Sequence, residues 1–329
     1  MLAQIWRVMK KKVIAVLVLS LILIFALIGC DVKLEKIQLA MGSDTKLKTL
    51  ILTDIKFDGT SADDVRERII TSLVKQREPE FIAINGNIVN AENNGEVMKK
   101  AVKFIDSFGI PWATSIGELD VKGNTPKKKI VKILTDKSLK NSMVLHGESY
   151  EYNYILEVVD TKSSIKHLFY FIDTSERCSD ELVEWYTNTI KNISFKNVDK
   201  KGNMLKSEVF INRPLPAYTE NTDAIGSNGY EVSVWENSAI FENAILNSNS
   251  TKAVYAGTDN LANGAYHRKK EILFAYVISM AFDSSMKGTD YDMQKRKVGG
   301  SYYDFTDSSS LDSLSSIKKL PDDFKESVS

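Results

Sequence analysis

Between Leu47 and Ile116 the chain alternates short apolar runs with amphipathic stretches, and that alternation leaves few folds open. Leu47 to Thr53 has the pattern of a buried strand and stops at Asp54. Ser61 to Arg77 follows, with an N-cap candidate, early acids Asp63 and Asp64, and apolar Val65, Ile69, Ile70, Leu73 and Val74 at helical spacing. Phe81 to Ile84 is a second strand, stopped by Asn85-Gly86-Asn87. Gly95 to Phe108 is a second amphipathic helix and Trp112 to Ile116 a third strand. Strand, helix, strand, helix, strand predicts a parallel sheet whose polar loops gather at the carboxyl ends of the strands.

The second half is richer in strands. Tyr152 to Val159, His167 to Asp173, Ser207 to Asn212 and Lys252 to Ala256 carry strand patterns, with helices near Ser179 to Asn192 and Val234 to Asn247. Glu271 to Phe282 and Arg296 to Phe305 read as closing strands. Residues 31 to 46 read as a polar linker. Thr306 to Ser329, rich in serine and acids and poor in large apolar groups, reads as a disordered tail.

At 43% hydrophobic and 26% charged, the 329 residues suffice for one large α/β core. Lysine plus arginine balance aspartate plus glutamate at 43 each, which gives no electrostatic case for nucleic acid, and none is expected as a partner: backbone phosphate demands a basic excess on one face. The basic runs Lys10 to Lys12 and Lys127 to Lys129 are short, and read as membrane-flanking or solvated helix ends. Two cysteines, Cys30 and Cys178, make no disulfide framework, and Cys178 reads as a buried thiol. Asn192-Ile193-Ser194 and Asn249-Ser250-Thr251 are glycosylation sequons, open to use if this part of the chain is luminal.

Val13 to Gly29 is uncharged and nearly all aliphatic, and Arg7 and Lys10 to Lys12 precede it. This is the pattern of a membrane-targeting segment over residues 1–30, with a cytosolic N-terminus and a translocated remainder. Its length suits a single-pass signal anchor and a cleaved signal peptide alike. Leu27-Ile28-Gly29-Cys30 also fits a lipoprotein cleavage pattern, which would place a lipid on Cys30.

Five segments carry a family resemblance: TLILTDIKFDG (49–59), EFIAINGNIVNAEN (80–93), GIPWATSIGELDVKGN (109–124), EVFINRPLPAY (208–218) and KAVYAGTDN (252–260). In order and spacing they resemble the motifs of the calcineurin-like metallophosphoesterase superfamily, most closely its purple-acid-phosphatase-like branch. AVKFIDSFGIPWA (101–113) and the Arg213 to Tyr218 run strengthen the likeness, as do the connecting segments 143–158, 167–176 and 181–190. The resemblance spans residues 47–305. It implies an α/β fold of four layers, an α/β/β/α metallophosphoesterase sandwich in which two mixed sheets pack face to face and the motif loops meet at one edge.

The family's signatures D-x-H, G-D, G-N-H-[DE], an isolated H, and G-H-x-H here read D-I-K, G-N, G-E-L-D, N-R-P-L-P and G-T-D-N. The resemblance puts Asp54 at the first metal's carboxylate and Lys56 at its histidine. It puts Asn87 at the bridging aspartate, Glu118 at the asparagine ligand and Leu119 at the catalytic histidine. Asn212 takes the fourth-motif histidine, and Thr258 and Asn260 the last two. Family members use two divalent metals such as iron, zinc or manganese to neutralise phosphate and generate hydroxide. A lysine repels such ions and a leucine moves no proton, so neither metal nor catalytic residue is expected to be retained. Lys56 is expected either beside Asp54 and Glu118, in place of a metal, or pointing to solvent from the loop after the first strand. His146 and His167 fall in non-catalytic segments, and Gly299-Gly300 is a turn signal.

The expected product is a membrane-tethered phosphoesterase-fold protein without catalysis, whose old site is structural or binds a protein or phosphorylated ligand. The alternative is a divergent hydrolase of phosphate monoesters with a site rebuilt from Asp54, Glu118, Asp120 and His267.

Overall fold

The computed structural model describes residues 37–41, 46–145, 152–194, 197–198, 202, 204–220, 232–257, 266–280, 299–306 and 315–316. The proposed targeting segment, Cys30, His146, Thr258 and Asn260 lie outside the described residues.

The strands are β1 (Ile37–Ala40), β2 (Lys46–Leu52), β3 (Phe81–Asn85), β4 (Trp112–Ser115), β5 (Tyr154–Val159), β6 (Ile165–Phe171), β7 (Lys206–Ile211), β8 (Thr251–Ala256), β9 (Tyr266–Lys269), β10 (Ile272–Tyr276), β11 (Ser301–Thr306) and β12 (Ser315–Ser316). The helices are α1 (Asp63–Arg77), α2 (Asn94–Asp106), α3 (Lys127–Leu134), α4 (Asp180–Ser194) and α5 (Ala239–Leu246). One sheet has seven strands in the order β1-β5-β6-β7-β8-β10-β9, the other five in the order β12-β11-β2-β3-β4. Both sheets are mixed. In the smaller, β2, β3 and β4 run parallel while β11 lies antiparallel to β2.

Side-chain alternation along β2, β3 and β4 sorts the layers. Leu50, Leu52, Ile82, Ile84 and Trp112 face a core shared with Ile69, Ile70 and Leu73 of α1, Met98, Val102 and Ile105 of α2, and Ile130 and Leu134 of α3. Leu47, Ile51, Phe81, Ala83 and Ala113 face the opposite way, into a second core with Leu156, Phe169, Phe171, Phe210, Tyr255 and Leu273 of the larger sheet. Phe81 reaches across to both Phe169 and Phe171. On the far face of the larger sheet Tyr170 meets Trp185 and Tyr186 of α4, and Tyr186 meets Phe241 of α5. The result is an α/β sandwich of two mixed sheets with helices on both outer faces, the fold class read from the sequence.

Several boundaries differ from the pattern. The stretch read as a linker contains β1, which pairs in parallel with β5 at the sheet edge. The closing strand read from Glu271 ends at Tyr276. Past it the chain is redirected: Val277 N–H donates to the Ala256 carbonyl and Met280 N–H to the Thr53 carbonyl, joining the two sheets near the candidate site. The stretch read as a tail contributes β12, two residues paired with β11. Lys127 is not a solvated helix end. It starts α3 with its side chain 17% exposed and its ammonium 2.7 Å from Asp173.

Candidate functional site

The carboxyl ends of β2, β3, β4, β7 and β8 converge, which brings the described parts of all five motifs together. After β2 and β3 the two loops run side by side: Asp54 N–H donates to the Gly86 carbonyl, Lys56 N–H to Asn87 and Phe57 N–H to Ile88. This path requires left-handed backbone at Asp54 (φ 53°), Lys56 (φ 56°) and Asn87 (φ 52°). Asparagine and aspartate tolerate that region, whereas lysine adopts it at a cost of about 1 kcal/mol. Gly86, at φ 68°, has no room for a side chain, since a Cβ would lie 2.5 Å from the Gly117 nitrogen. At Gly257 a Cβ would lie 2.1 Å from Thr53 Oγ1 and 2.9 Å from Asn212 Nδ2. These close approaches press the motif backbones against one another.

Asp54 is fully buried. Its Oδ1 accepts from Asn87 Nδ2 at 2.8 Å and its Oδ2 from the Thr53 hydroxyl at 2.8 Å. The Lys56 ammonium stands 4.0 Å from Oδ1, with its side chain 17% exposed. Asn87 is committed at both ends, because its Oδ1 accepts the Leu119 N–H at 2.9 Å. At the bridging position an amide thus links the first-motif carboxylate to the third-motif main chain. Asn212 donates to the Asn85 carbonyl at 2.7 Å, and Asn85 donates to the Tyr255 carbonyl at 2.8 Å, so each sheet caps the other's strand ends.

Asp120 is the residue whose role was misplaced by sequence reasoning, which offered it as a ligand of a rebuilt site. It is buried and turned onto the main chain. Its Oδ2 accepts from Asn87 N–H at 2.8 Å and Gly117 N–H at 2.9 Å, and its Oδ1 from Val89 N–H at 3.1 Å. Burial pushes its carboxyl up to about 7 against the opposing pull of these donors. The acid in the G-E-L-D run was visible; nothing in the sequence showed that three loop amides would claim it.

Lys56 does lie beside Asp54, but the expectation that it also neutralises Glu118 needs correction. Glu118 points outward, 42% exposed, with Arg213 and Lys122 each 3.8 Å away. The turn Leu119–Val121 swings it to the rim, where these cations sit. His267 stacks on Phe274 and meets the edge of Tyr218, an aromatic setting that explains its burial. Burial also holds its imidazole below the usual histidine range. His167 is buried against Glu208 at 2.9 Å in the space between the sheets.

The donor set does not fit a two-metal centre. Asp54 already accepts from an amide and a hydroxyl with an ammonium 4.0 Å away, Asp120 is turned onto main-chain amides, and Asn87 brings a neutral amide where a bridging carboxylate charge would be needed. Among the described residues no group of three or more histidine, cysteine, aspartate or glutamate side chains could hold a metal ion.

No family model matches the chain. An uncharacterized protein of Schizosaccharomyces pombe is 22% identical over 187 residues, half of this chain and 33% of that protein, so the chain spans about a third of its relative's length. Among solved structures, TT1561 of Thermus thermophilus superposes with a TM-score of 0.46 at 8% identity, covering 71% of this chain and 90% of that one. Another crystal structure gives 0.42 at 11% identity, covering 79% and 94%. No helix among the described residues is long and apolar enough to cross a membrane.

Proposed function

We propose that the chain is a calcineurin-like phosphoesterase-fold protein of the purple-acid-phosphatase-like branch whose metal centre has become a polar lock, leaving a pseudophosphatase. The observation that carries this reading is the Asn87 amide, which joins Asp54 to the Leu119 main chain while Lys56 stands 4.0 Å from the same carboxylate. A bridging carboxylate is what lets two cations share one site. Here a hydrogen-bond donor faces Asp54 from that position and an ammonium supplies the positive charge. No metal hydroxide and no histidine acid are then available for phosphoryl transfer.

In this reading the segment 13–29 tethers the chain to a membrane and the sandwich lies on the luminal or extracytoplasmic side, or is held there by a lipid on Cys30. The rim of the former site, with Glu118, Arg213 and Lys122, offers charges of both signs to a protein or phosphorylated ligand. A rebuilt hydrolase receives no support from the geometry, since Glu118 is drawn to the rim, Asp120 serves the main chain and His267 sits among aromatics.

The test is elemental analysis of protein purified without chelator, paired with aryl phosphate hydrolysis across about pH 5 to 8 with added divalent ions. Less than a tenth of an equivalent of iron, zinc or manganese, on the order expected for adventitious binding, and no turnover above buffer are expected. Near-stoichiometric metal, or activity that disappears in Asp54→Ala, would overturn the reading in favour of a hydrolase.

A further inference from the structure

At the amino ends of β7 and β8, opposite the Asp54 cluster, the larger sheet holds a second buried polar group, built of hydroxyls. Ser194 at the end of α4 bonds Ser250 at 3.1 Å; Ser250 bonds Ser207 at 3.2 Å; Ser207 bonds Thr251 at 3.1 Å. Thr251 is bonded further to the Tyr186 hydroxyl and accepts from Ser248 at 3.0 Å. Ser194 and Thr251 are the hydroxyl residues of the two sequons in the chain, and folding seals both: their exposures are 0% and 2%. The asparagines of the same sequons remain outside. Asn192 is exposed in the last turn of α4, and Asn249 is exposed at the turn entering β8, where its φ of 54° suits asparagine.

We propose that Asn192 and Asn249 are N-glycosylation sites, each taking an oligosaccharide on its side-chain amide before this part of the chain folds. The proposal rests on the luminal orientation inferred above. Transfer forms a bond from Nδ2 to C1 of the first sugar and breaks the bond between C1 and a phosphate oxygen of a lipid-linked diphosphate oligosaccharide. The amide proton is lost and the lipid diphosphate leaves. Such transfer reads the hydroxyl two residues past the asparagine. In the folded domain those two hydroxyls are buried in one hydrogen-bonded chain, so recognition belongs to the unfolded or nascent state. Both acceptor amides stay at the surface afterwards, so the attached sugars need no room inside the fold. They also lie at the opposite end of the strands from the Asp54 cluster, leaving its rim uncovered.

The experiment expresses the full chain in a eukaryotic cell and reads electrophoretic mobility before and after peptide N-glycosidase, with protease protection of intact microsomes as an independent report of orientation. Two mobility steps are expected. Asn192→Gln and Asn249→Gln each remove one, and the double variant removes both. Both side chains are exposed, so these variants keep the fold, Asn249→Gln at the small cost of a glutamine in left-handed backbone. A protease-protected chain with no enzyme-sensitive shift overturns the glycosylation sites and leaves the orientation standing; a chain digested from the cytosolic side overturns both. In a second arm, unglycosylated protein from bacterial cytoplasm is offered to an oligosaccharyl transferase with its lipid-linked donor. The urea-unfolded chain should be modified and the folded protein should not, by at least about tenfold, the scale of a buried hydroxyl network that opens only on unfolding. Equal modification of both forms overturns the claim that folding seals the sites.

Discussion

Asp120 and Glu208 are both buried carboxylates, one at the carboxyl ends of the five-stranded sheet and the other in the slab between the sheets, and they are satisfied by different means. Asp120 is held by main-chain amides, among them those of Asn87, Gly117 and Val89. Glu208 meets a side chain, His167, through Oε1, while its Oε2 has no hydrogen-bond partner among the described residues. The contrast follows from where the backbone donors are. Within β7 the amides are committed to ladders with β6 and β8, so an acid there finds only other side chains. Past the strand ends, left-handed turns free amides that no ladder can take, and an anion in their midst is held by the shape of the loops. Asp120 thus sits in a main-chain cradle beside the Asp54 cluster, whereas the His167–Glu208 pair is a side-chain contact within an apolar slab.

The sharpest way to break that comparison is Asp120→Ala. Three buried N–H groups lose their acceptor, and at roughly 1 to 3 kcal/mol for each unsatisfied group, partly relieved by water entry, the domain should lose about 4 kcal/mol or more. Urea midpoints by circular dichroism measure this. A loss below about 1 kcal/mol would show that the loops hold their shape without the carboxylate, and that Asp120 has a different purpose.

Lys56→Met tests the neighbouring carboxylate, Asp54, which side chains hold. Asp54 would keep its bonds from Thr53 and Asn87 and lose the ammonium, so the expected cost is about 2 kcal/mol, below the roughly 3 to 5 typical of breaking a fully buried pair because Lys56 is partly solvated. Adding Asp54→Asn to Lys56→Met should recover part of that cost, since no uncompensated charge then remains. A double variant as unstable as the sum of the two single ones would mean that lysine and aspartate act independently.

Much of this architecture was legible. The β2 to β4 alternation is long and strongly periodic, so its strands and helices emerged within a residue or two of their observed bounds. Asp54, Lys56, Asn87 and Asn212 were brought to one place by motif order, and the structure gathers them at the strand ends. What stayed hidden was the choice of partner, which depends on distances set by tertiary packing. Lys127 looked like one member of a solvated basic run because Asp173, its partner, lies far along the sequence. Glu118 looked like a neighbour of Lys56 because the turn at Leu119 that carries it to Arg213 has no sequence signature of its own. β1 was absorbed into a linker: four residues at a sheet edge, with only Leu39 among them buried, give too short a pattern to read.

The smallest net effect expected is that of a paired change in the slab between the sheets, and it separates an exchangeable pair from a required one. Glu208→Leu alone leaves His167 buried beside an apolar group, and His167→Leu alone leaves Glu208 with neither oxygen on its present partner. Each should cost about 2 to 3 kcal/mol, because one partner of a buried pair has been removed. The double change to leucine adds apolar contact with Phe169 and Phe305, which already flank the imidazole at ring distances of 6.3 and 6.0 Å. It should therefore lie within about 1 kcal/mol of the parent, with a coupling energy of at least about 2 kcal/mol in the double-mutant cycle. Additive losses in that cycle, measured by urea unfolding at neutral pH, would place the pair in the same class as the Asp120 cradle and remove the distinction between the two regions.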